Sequence, residues 1–236
     1  MKTLSVVIPF LNEARTLGLI LERVAGAEIG NWEKEFILVD DGSTDNSKTE
    51  AERAIRQLAD KIKNFTILSH ETNRGKGAAI RTGFMHATGD YVIIQDADLE
   101  YSPNEWQSLL RKIAPDDRAA VFGSRYLQPD AAHRYKLYKI GADVLTWLIN
   151  FFHRTHLTDS YTCYKLLPAS FIKTIPLESN AFEIEAEMTV KLLKNGYRIV
   201  EVPISYKSRT FAEGKKIRWK DGVKGIWAIL KYTLLK

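Results

Sequence analysis

Two aspartates one residue apart, Asp96 and Asp98, follow the apolar run Tyr91-Val92-Ile93-Ile94. Such a run reads as a buried strand that delivers the pair to a sheet edge. Continued to Leu99, a strand would place both carboxylates on one face. Like charges that close call for a cation between them. Oxygen ligands suit Mg2+ or Mn2+, which bind through one or two carboxylates plus substrate phosphates. An isolated Asp-x-Asp is equally a polar turn with solvated carboxylates, so its meaning depends on what else reaches the same edge.

Asp40-Asp41-Gly42-Ser43 stands where a strand turns into a helix. A carboxylate there can accept hydrogen bonds from a nucleobase N–H or a ribose hydroxyl, although alone it is also a turn with capping residues. Asn73-Arg74-Gly75-Lys76-Gly77 is basic and glycine-rich at a helix start, suited to phosphate through backbone N–H groups and the Lys76 charge. It lacks the Gly-Lys-Ser/Thr of a Walker loop. Glu183, Glu185 and Glu187 lie on one predicted helix, where 183 and 187 share a face and 185 points elsewhere.

The elements that position these groups follow from hydrophobic period. Leu4–Pro9, Phe36–Val39, Phe65–Leu68 and Tyr91–Leu99 read as strands, separated by helical patterns over Leu17–Val24, from Ser47, and from Gly77 to Ala87. Ser47 with Glu50, and Ser102 with Glu105, read as capping boxes, and Gly89 as a helix stop. Strands are also expected at Ala119–Arg125, Tyr161–Leu167 and Ile199–Ile204, with a helix at Phe182–Asn195 ended by Gly196. Strands alternating with helices predict an α/β fold with a mostly parallel sheet covered on both faces, and ligands in such folds bind beyond the carboxyl ends of the strands. Pro9 to Glu13, Asp40 to Asp45, Asn73 to Gly77 and Asp96 to Asp98 all fall at such ends.

Composition narrows the class. A chain of 236 residues with 45% hydrophobic content fits one α/β domain with an attachment. We expect a domain over 1–216 and an amphipathic helix over 217–236. The single Cys163 forms no internal disulfide and the start Met1–Ser5 lacks a secretory signal's apolar core, which predicts a cytoplasmic setting. No apolar run approaches the ~20 residues that cross a bilayer. The net charge of +5 thickens from Lys207 onward without any nucleic-acid-binding motif, so nucleic acid is not an expected partner. Leu137–Phe152 is unusually apolar, and Trp219, Val223, Ile226, Trp227, Leu230 and Leu234 make one helical face beside Lys220, Lys224 and Lys231. That face suits either packing on the core or a helix lying among lipid headgroups at the cytoplasmic face of a membrane.

Taken together, Val6-Val7-Ile8-Pro9 with Asn12-Glu13, Val39 to Asp45, Asn73 to Gly77 and Asp96-Ala97-Asp98 resemble the family 2 glycosyltransferases of GT-A fold. Within them the likeness is to the dolichol-phosphate mannose synthase and polyprenyl-phosphate glycosyltransferase branch, from Leu4 to about Trp219. The resemblance implies Pro9, Asn12, Glu13, Asp40 and Asp41 around the nucleoside, Lys76 near it or the diphosphate, and Asp96 and Asp98 at Mg2+ or Mn2+. Arg209 and Lys215 would assist at the diphosphate. Arg125, with Arg134 and Lys139, would meet the acceptor's phosphate. Asp159 and Glu187 join the catalytic set, Glu187 as the best match to the family's acidic position. Where many relatives carry Asp followed by Ser-Gly-Phe-Arg, this chain has Asp159-Ser160-Tyr161-Thr162-Cys163-Tyr164-Lys165.

The expected activity is inverting transfer of a hexose from a GDP- or UDP-sugar to a polyprenyl phosphate. A soluble or polysaccharide acceptor, a nucleotide-sugar-binding protein without catalysis, and a nucleotidyltransferase are the rivals. A basic amphipathic end, an intact Asp-x-Asp, and the absence of a glycine-rich loop after the first strand weigh against them in turn.

Overall fold

The computed structural model describes residues 1–113, 118–128, 136–209 and 219–235. In the first half β1 (Lys2–Phe10), β2 (Trp32–Asp40), β3 (Phe65–Ser69) and β4 (Tyr91–Ile94) alternate with α1 (Leu17–Gly26), α2 (Ser47–Gln57) and α3 (Lys76–His86). A 3-10 turn at Pro103–Glu105 leads into α4 (Trp106–Leu110), followed by β5 (Ala119–Ser124), α5 (Lys136–His153), β6 (Lys165–Pro168), α6 (Ala169–Thr174), α7 (Ile184–Lys194), β7 (Arg198–Pro203) and α8 (Trp219–Leu234).

The sheet has the order β3-β2-β1-β4-β6-β5-β7. β1 pairs in parallel with β2 and β4, and β5 with β7, whereas β6 is antiparallel to both its neighbours. The reversal matters for the site. An antiparallel strand presents its amino end where its neighbours present their carboxyl ends, so the segment Asp159–Tyr164 enters the same edge as Asp96, Asp98 and Arg125. The central strands are buried throughout, as continuous apolar runs covered by helices must be.

Several local expectations give way to tertiary demands. β4 stops at Ile94, so Asp96 and Asp98 sit on a turn and not on one strand face; Leu99 follows in the left-handed region at φ 64°. Neither expected capping box closes. The Ser47 hydroxyl instead bonds Asp45 and accepts the Glu13 N–H, Glu50 pairs with Arg53, and Glu105 accepts from Ser205. α3 ends at His86, before Gly89, whose missing Cβ would lie 2.7 Å from the Thr3 carbonyl oxygen of β1. The strand expected from Tyr161 begins only at Lys165, and α6 was not foreseen.

The apolar stripe of α8 is not what packs. Gly225, Ala228, Ile229 and Tyr232 face α5 and α7, making a second core with Leu145, Ile149, Ala186 and Val190. Trp219, Val223, Trp227 and Leu234 stay exposed, as do Ile140, Val144, Trp147 and Phe151 of α5. The two helices run side by side in the same direction: Leu145 lies against Gly225, and His153 bonds Thr233 at 3.0 Å. Lys194 reaches across from α7 to the carbonyls of Tyr232, Thr233 and Leu235. No helix among the described residues is long and apolar enough to cross a membrane.

Accordingly, Trp227→Ser should shift stability by less than about 0.5 kcal/mol, as surface replacements do. Ile229→Ala on the opposite face should cost roughly 2–5 kcal/mol through lost burial and a residual cavity. Denaturant unfolding of the two variants checks the assignment of faces.

Candidate active site

The first strand–helix junctions are knitted together by side chains that cap backbone. Asn12, itself at φ 52°, accepts the Thr44 and Asp45 N–H groups through Oδ1, while its own N–H donates to Ser43. Asp40 accepts the Ser43 N–H. Asp41 accepts the N–H groups of Arg74 and Gly75 at 2.9 and 2.8 Å and bonds His70 Nδ1 at 2.7 Å, with His70 Nε2 on Thr82. The Asp41 carboxylate thus shapes the Asn73–Gly77 loop that precedes α3. Gly75, at φ 98°, has no room for a Cβ, which would sit 2.3 Å from the Asn180 carbonyl oxygen. Pro9 lies in β1 opposite Val39, beyond the point where β4 stops pairing with β1 at Val7.

Glu13 is buried and grips Arg209 with two hydrogen bonds, Nη1–Oε1 at 3.1 Å and Nη2–Oε2 at 2.9 Å. Arg209 Nε donates to the Asp98 carbonyl oxygen at 2.7 Å, and the Arg209 N–H to Glu100 at 2.6 Å. A residue from beyond β7 thereby ties the end of β1 to the turn after β4. Burial works against the Arg209 charge, but the bonds to Glu13 and the nearby Asp98 hold its pKa above the ordinary range.

Lys76 Nζ lies 2.8 and 2.9 Å from the two Asp96 carboxylate oxygens. Burial opposes its charge, yet Asp96, Cys163 and Glu185 keep its pKa well above normal. Asp98 fares differently. Its Oδ1 accepts the Glu100 N–H at 3.0 Å, while burial first, then the charges of Asp96 and Glu100, push its carboxyl pKa up to about 7. Among the described residues no ammonium or guanidinium bonds the Asp98 carboxylate, and the nearby Arg209 does not outweigh the effects that raise its pKa. That deficit, together with hard oxygen donors, fits a divalent cation. The described residues contain no group of three or more His, Cys, Asp or Glu side chains that would hold a metal alone.

On the other side of β4, Arg125 leaves β5 and forks onto Asp159 through Nε–Oδ2 at 2.7 Å and Nη2–Oδ1 at 2.8 Å. Burial opposes the Arg125 charge, but Asp159 wins and its pKa is held well above normal. Asp159, expected in a catalytic role, is fully buried by this pair, and its N–H donates to Glu201. Arg125 stacks on Tyr206 at 5.1 Å, and Lys139, paired with Asp143, lies 4.5 Å from the Tyr126 ring centre. Arg134 and Lys215 lie outside the described residues.

Among the three glutamates the placement differs from expectation. Glu187 turns away and accepts the N–H groups of Glu178 and Ser179 and the Lys191 ammonium. Glu185 is the one that reaches the site, 3.7 Å from Lys76. Sequence spacing separates the two faces of α7 but cannot say which one points inward. The same holds for Lys165, a fully buried cation on Glu185, and for Tyr164, which bonds Gln95 immediately before the aspartates.

Sheet order, the ligand-competent edge and the paired aspartates define a GT-A-type α/β transferase fold. The model of the family described as glycosyl transferase family 2 matches residues 5–173, and the chain belongs to that family. It is 27% identical to an uncharacterized protein of Methanocaldococcus jannaschii over 84% of this chain and 86% of that one. It is 41% identical over 48% of its length to an undecaprenyl-phosphate 4-deoxy-4-formamido-L-arabinose transferase of Pectobacterium carotovorum, of which 34% is covered. The fold matches glucosyl-3-phosphoglycerate synthase from Mycobacterium tuberculosis, solved with Mn2+, UDP and phosphoglyceric acid, at TM-score 0.74 and 16% identity over 100% of this chain and 80% of that one.

The raised Asp98 pKa has a definite sign. From pH ~4, where an unfolded aspartate ionises, to pH 7 the folded protein keeps a proton that the unfolded chain has lost, so this carboxyl's contribution to stability falls as pH rises through that window. A cation relieves the ionised form. Mn2+ should therefore raise Tm more at pH 8 than at pH 6, and equal shifts at the two values would contradict the assignment.

Proposed function

We propose that this protein transfers a hexose, with inversion, from a GDP- or UDP-hexose to a polyprenyl phosphate at a membrane surface. The observation that carries the acceptor is the pairing of α5 and α8. Their amino-terminal halves adjoin Arg125, Tyr126 and Tyr161, and both turn large apolar side chains, tryptophans included, to solvent. Exposed apolar surface that continues from a reaction site suits an isoprenoid chain or the lipid boundary around it. The Pectobacterium relative acts, by its name, on undecaprenyl phosphate, which supports the same choice, although the chain spans about a third of that protein.

The Asn12–Glu13 and Asp40–Asp41 junctions and the Gly75 loop frame the nucleoside diphosphate beyond the carboxyl ends of β1 to β3. Bound at Asp96 and Asp98, a divalent cation supplies charge neutralisation for the departing diphosphate. An oxygen of the acceptor phosphate attacks the anomeric carbon; the new C–O bond forms as the bond to the nucleoside diphosphate breaks on the opposite face. A phosphate monoester has its second pKa near ~6 and is largely dianionic at neutral pH. It therefore needs no general base, unlike an alcohol. It needs cations to position it, and Arg125 and Lys139 stand at that rim. The commitment of Asp159 to Arg125, and of Glu187 to backbone N–H groups, accords with chemistry that asks for no carboxylate base.

Asp98→Asn should lower turnover by a hundredfold or more, on the order expected for losing a metal ligand, while circular dichroism stays native. Near wild-type rates across Mn2+ concentrations would remove the metal assignment. With candidate donors and Mn2+, polyprenyl phosphate should be glycosylated with release of GDP or UDP, and the free polyprenol should not. Transfer to the alcohol, or release of pyrophosphate, would count against the proposal. The protein should also sediment with anionic liposomes in a salt-sensitive manner, and Trp147→Ser with Trp227→Ser should abolish that binding.

A further inference from the structure

Four charged side chains of alternating sign run inward from the reaction edge: Asp96, Lys76, Glu185 and Lys165. Lys76 Nζ bonds both oxygens of Asp96, at 2.8 and 2.9 Å, and stands 3.7 Å from Glu185 Oε1. The other Glu185 oxygen, Oε2, is bonded to Lys165, a side chain of zero exposure that also donates to the Thr162 carbonyl and lies 5.0 Å from the Phe122 ring centre. Glu185 Oε1 is buried and makes no hydrogen bond. A buried carboxylate oxygen left without a donor is costly, and this one faces an ammonium group held just out of range by a rival carboxylate.

We infer that Lys76 is a resident cation on Asp96, and that Glu185, fixed by Lys165, is the berth to which it moves when Asp96 engages a divalent cation. The shift from 3.7 Å to hydrogen-bond length is about 1 Å, within reach of a flexible lysine stem. Asp96 cannot serve both partners well, because the ammonium occupies both of its oxygens and repels a second cation. With the berth in place, Asp96 is released without leaving the ammonium unpaired. The bond from Lys165 holds Glu185 stationary, which makes Glu185 and Lys165 positioning residues.

The inference rests on Asp96 and Asp98 being the cation site, and Mn2+ binding in the presence of UDP, read from the free-Mn2+ electron paramagnetic resonance signal, tests the two separately. Asp98→Asn should abolish binding; unchanged binding there would remove the site itself and the inference with it. Given that loss, Lys76→Met should tighten Mn2+ binding by removing the competitor, whereas Glu185→Gln should weaken it about tenfold, as outer residues of metal sites do. In the K76M background, Glu185→Gln should have less than a twofold effect, because no ammonium then needs a berth. Lys165→Met should behave like Glu185→Gln, and Lys165→Arg should restore binding. Equal loss from Glu185→Gln in both backgrounds, or no tightening in Lys76→Met, would overturn the proposal. K76M, at a partly exposed position, keeps the test decisive if a variant of the buried pair fails to fold.

Discussion

Negative charge gathered at one end of a sheet must be balanced, and most of this structure's second half serves that need. Glu13, Asp41, Asp96, Asp98 and Glu100 all follow within a few residues of the carboxyl ends of β1, β2 and β4. Asp41 is answered by backbone N–H groups and His70, Glu13 and Glu100 by Arg209, and Asp96 by Lys76. Asp98 has, among the described residues, no ammonium or guanidinium bonded to its carboxylate; Arg209 meets its carbonyl oxygen instead, and burial beside Asp96 and Glu100 pushes its pKa up. Proteins keep such an imbalance where a ligand will supply the missing charge, because perturbed carboxyls cluster at functional sites.

The antiparallel β6 makes this balance possible. A parallel strand there would have placed Lys165 and Asp159 at opposite levels of the sheet from where they stand. Reversed, it brings Asp159 to Arg125 and sets Lys165 beneath Glu185, so that the rim nearest α5 and α8 and the floor beneath the aspartates are both built from one short segment. The aromatic contacts Tyr101–Tyr164 at 4.8 Å and Tyr101–Tyr206 at 5.2 Å join those two regions across the turn after β4.

How much of this could be read from the chain depends on the range of the interactions. Apolar runs such as Val6–Ile8 and Phe36–Val39 announce strands because burial on both faces leaves no other pattern, and polar residues at their ends locate the reactive edge. Local hydrogen-bond partners were harder. Ser47 and Glu105 have the spacing of capping boxes, yet their side chains serve Glu13 and Ser205, residues 34 and 100 positions away. The choice between Glu185 and Glu187, and the exposure of the α8 stripe, follow from how α7 and α8 rotate against neighbours. Helical period gives relative faces only. Lys165 carried no signal in the sequence, since nothing local marks a lysine for complete burial.

The parallel run of α5 and α8 has an electrostatic side. Neighbouring helices in most bundles alternate in direction and their backbone dipoles cancel. These two add, with positive ends towards the rim that holds Arg125 and Lys139 and negative ends at the far side, where Lys194 collects the carbonyls of Tyr232, Thr233 and Leu235. An anion at that rim would meet both positive ends at once, a contribution fixed in the main chain that side-chain substitution along the apolar faces would leave intact.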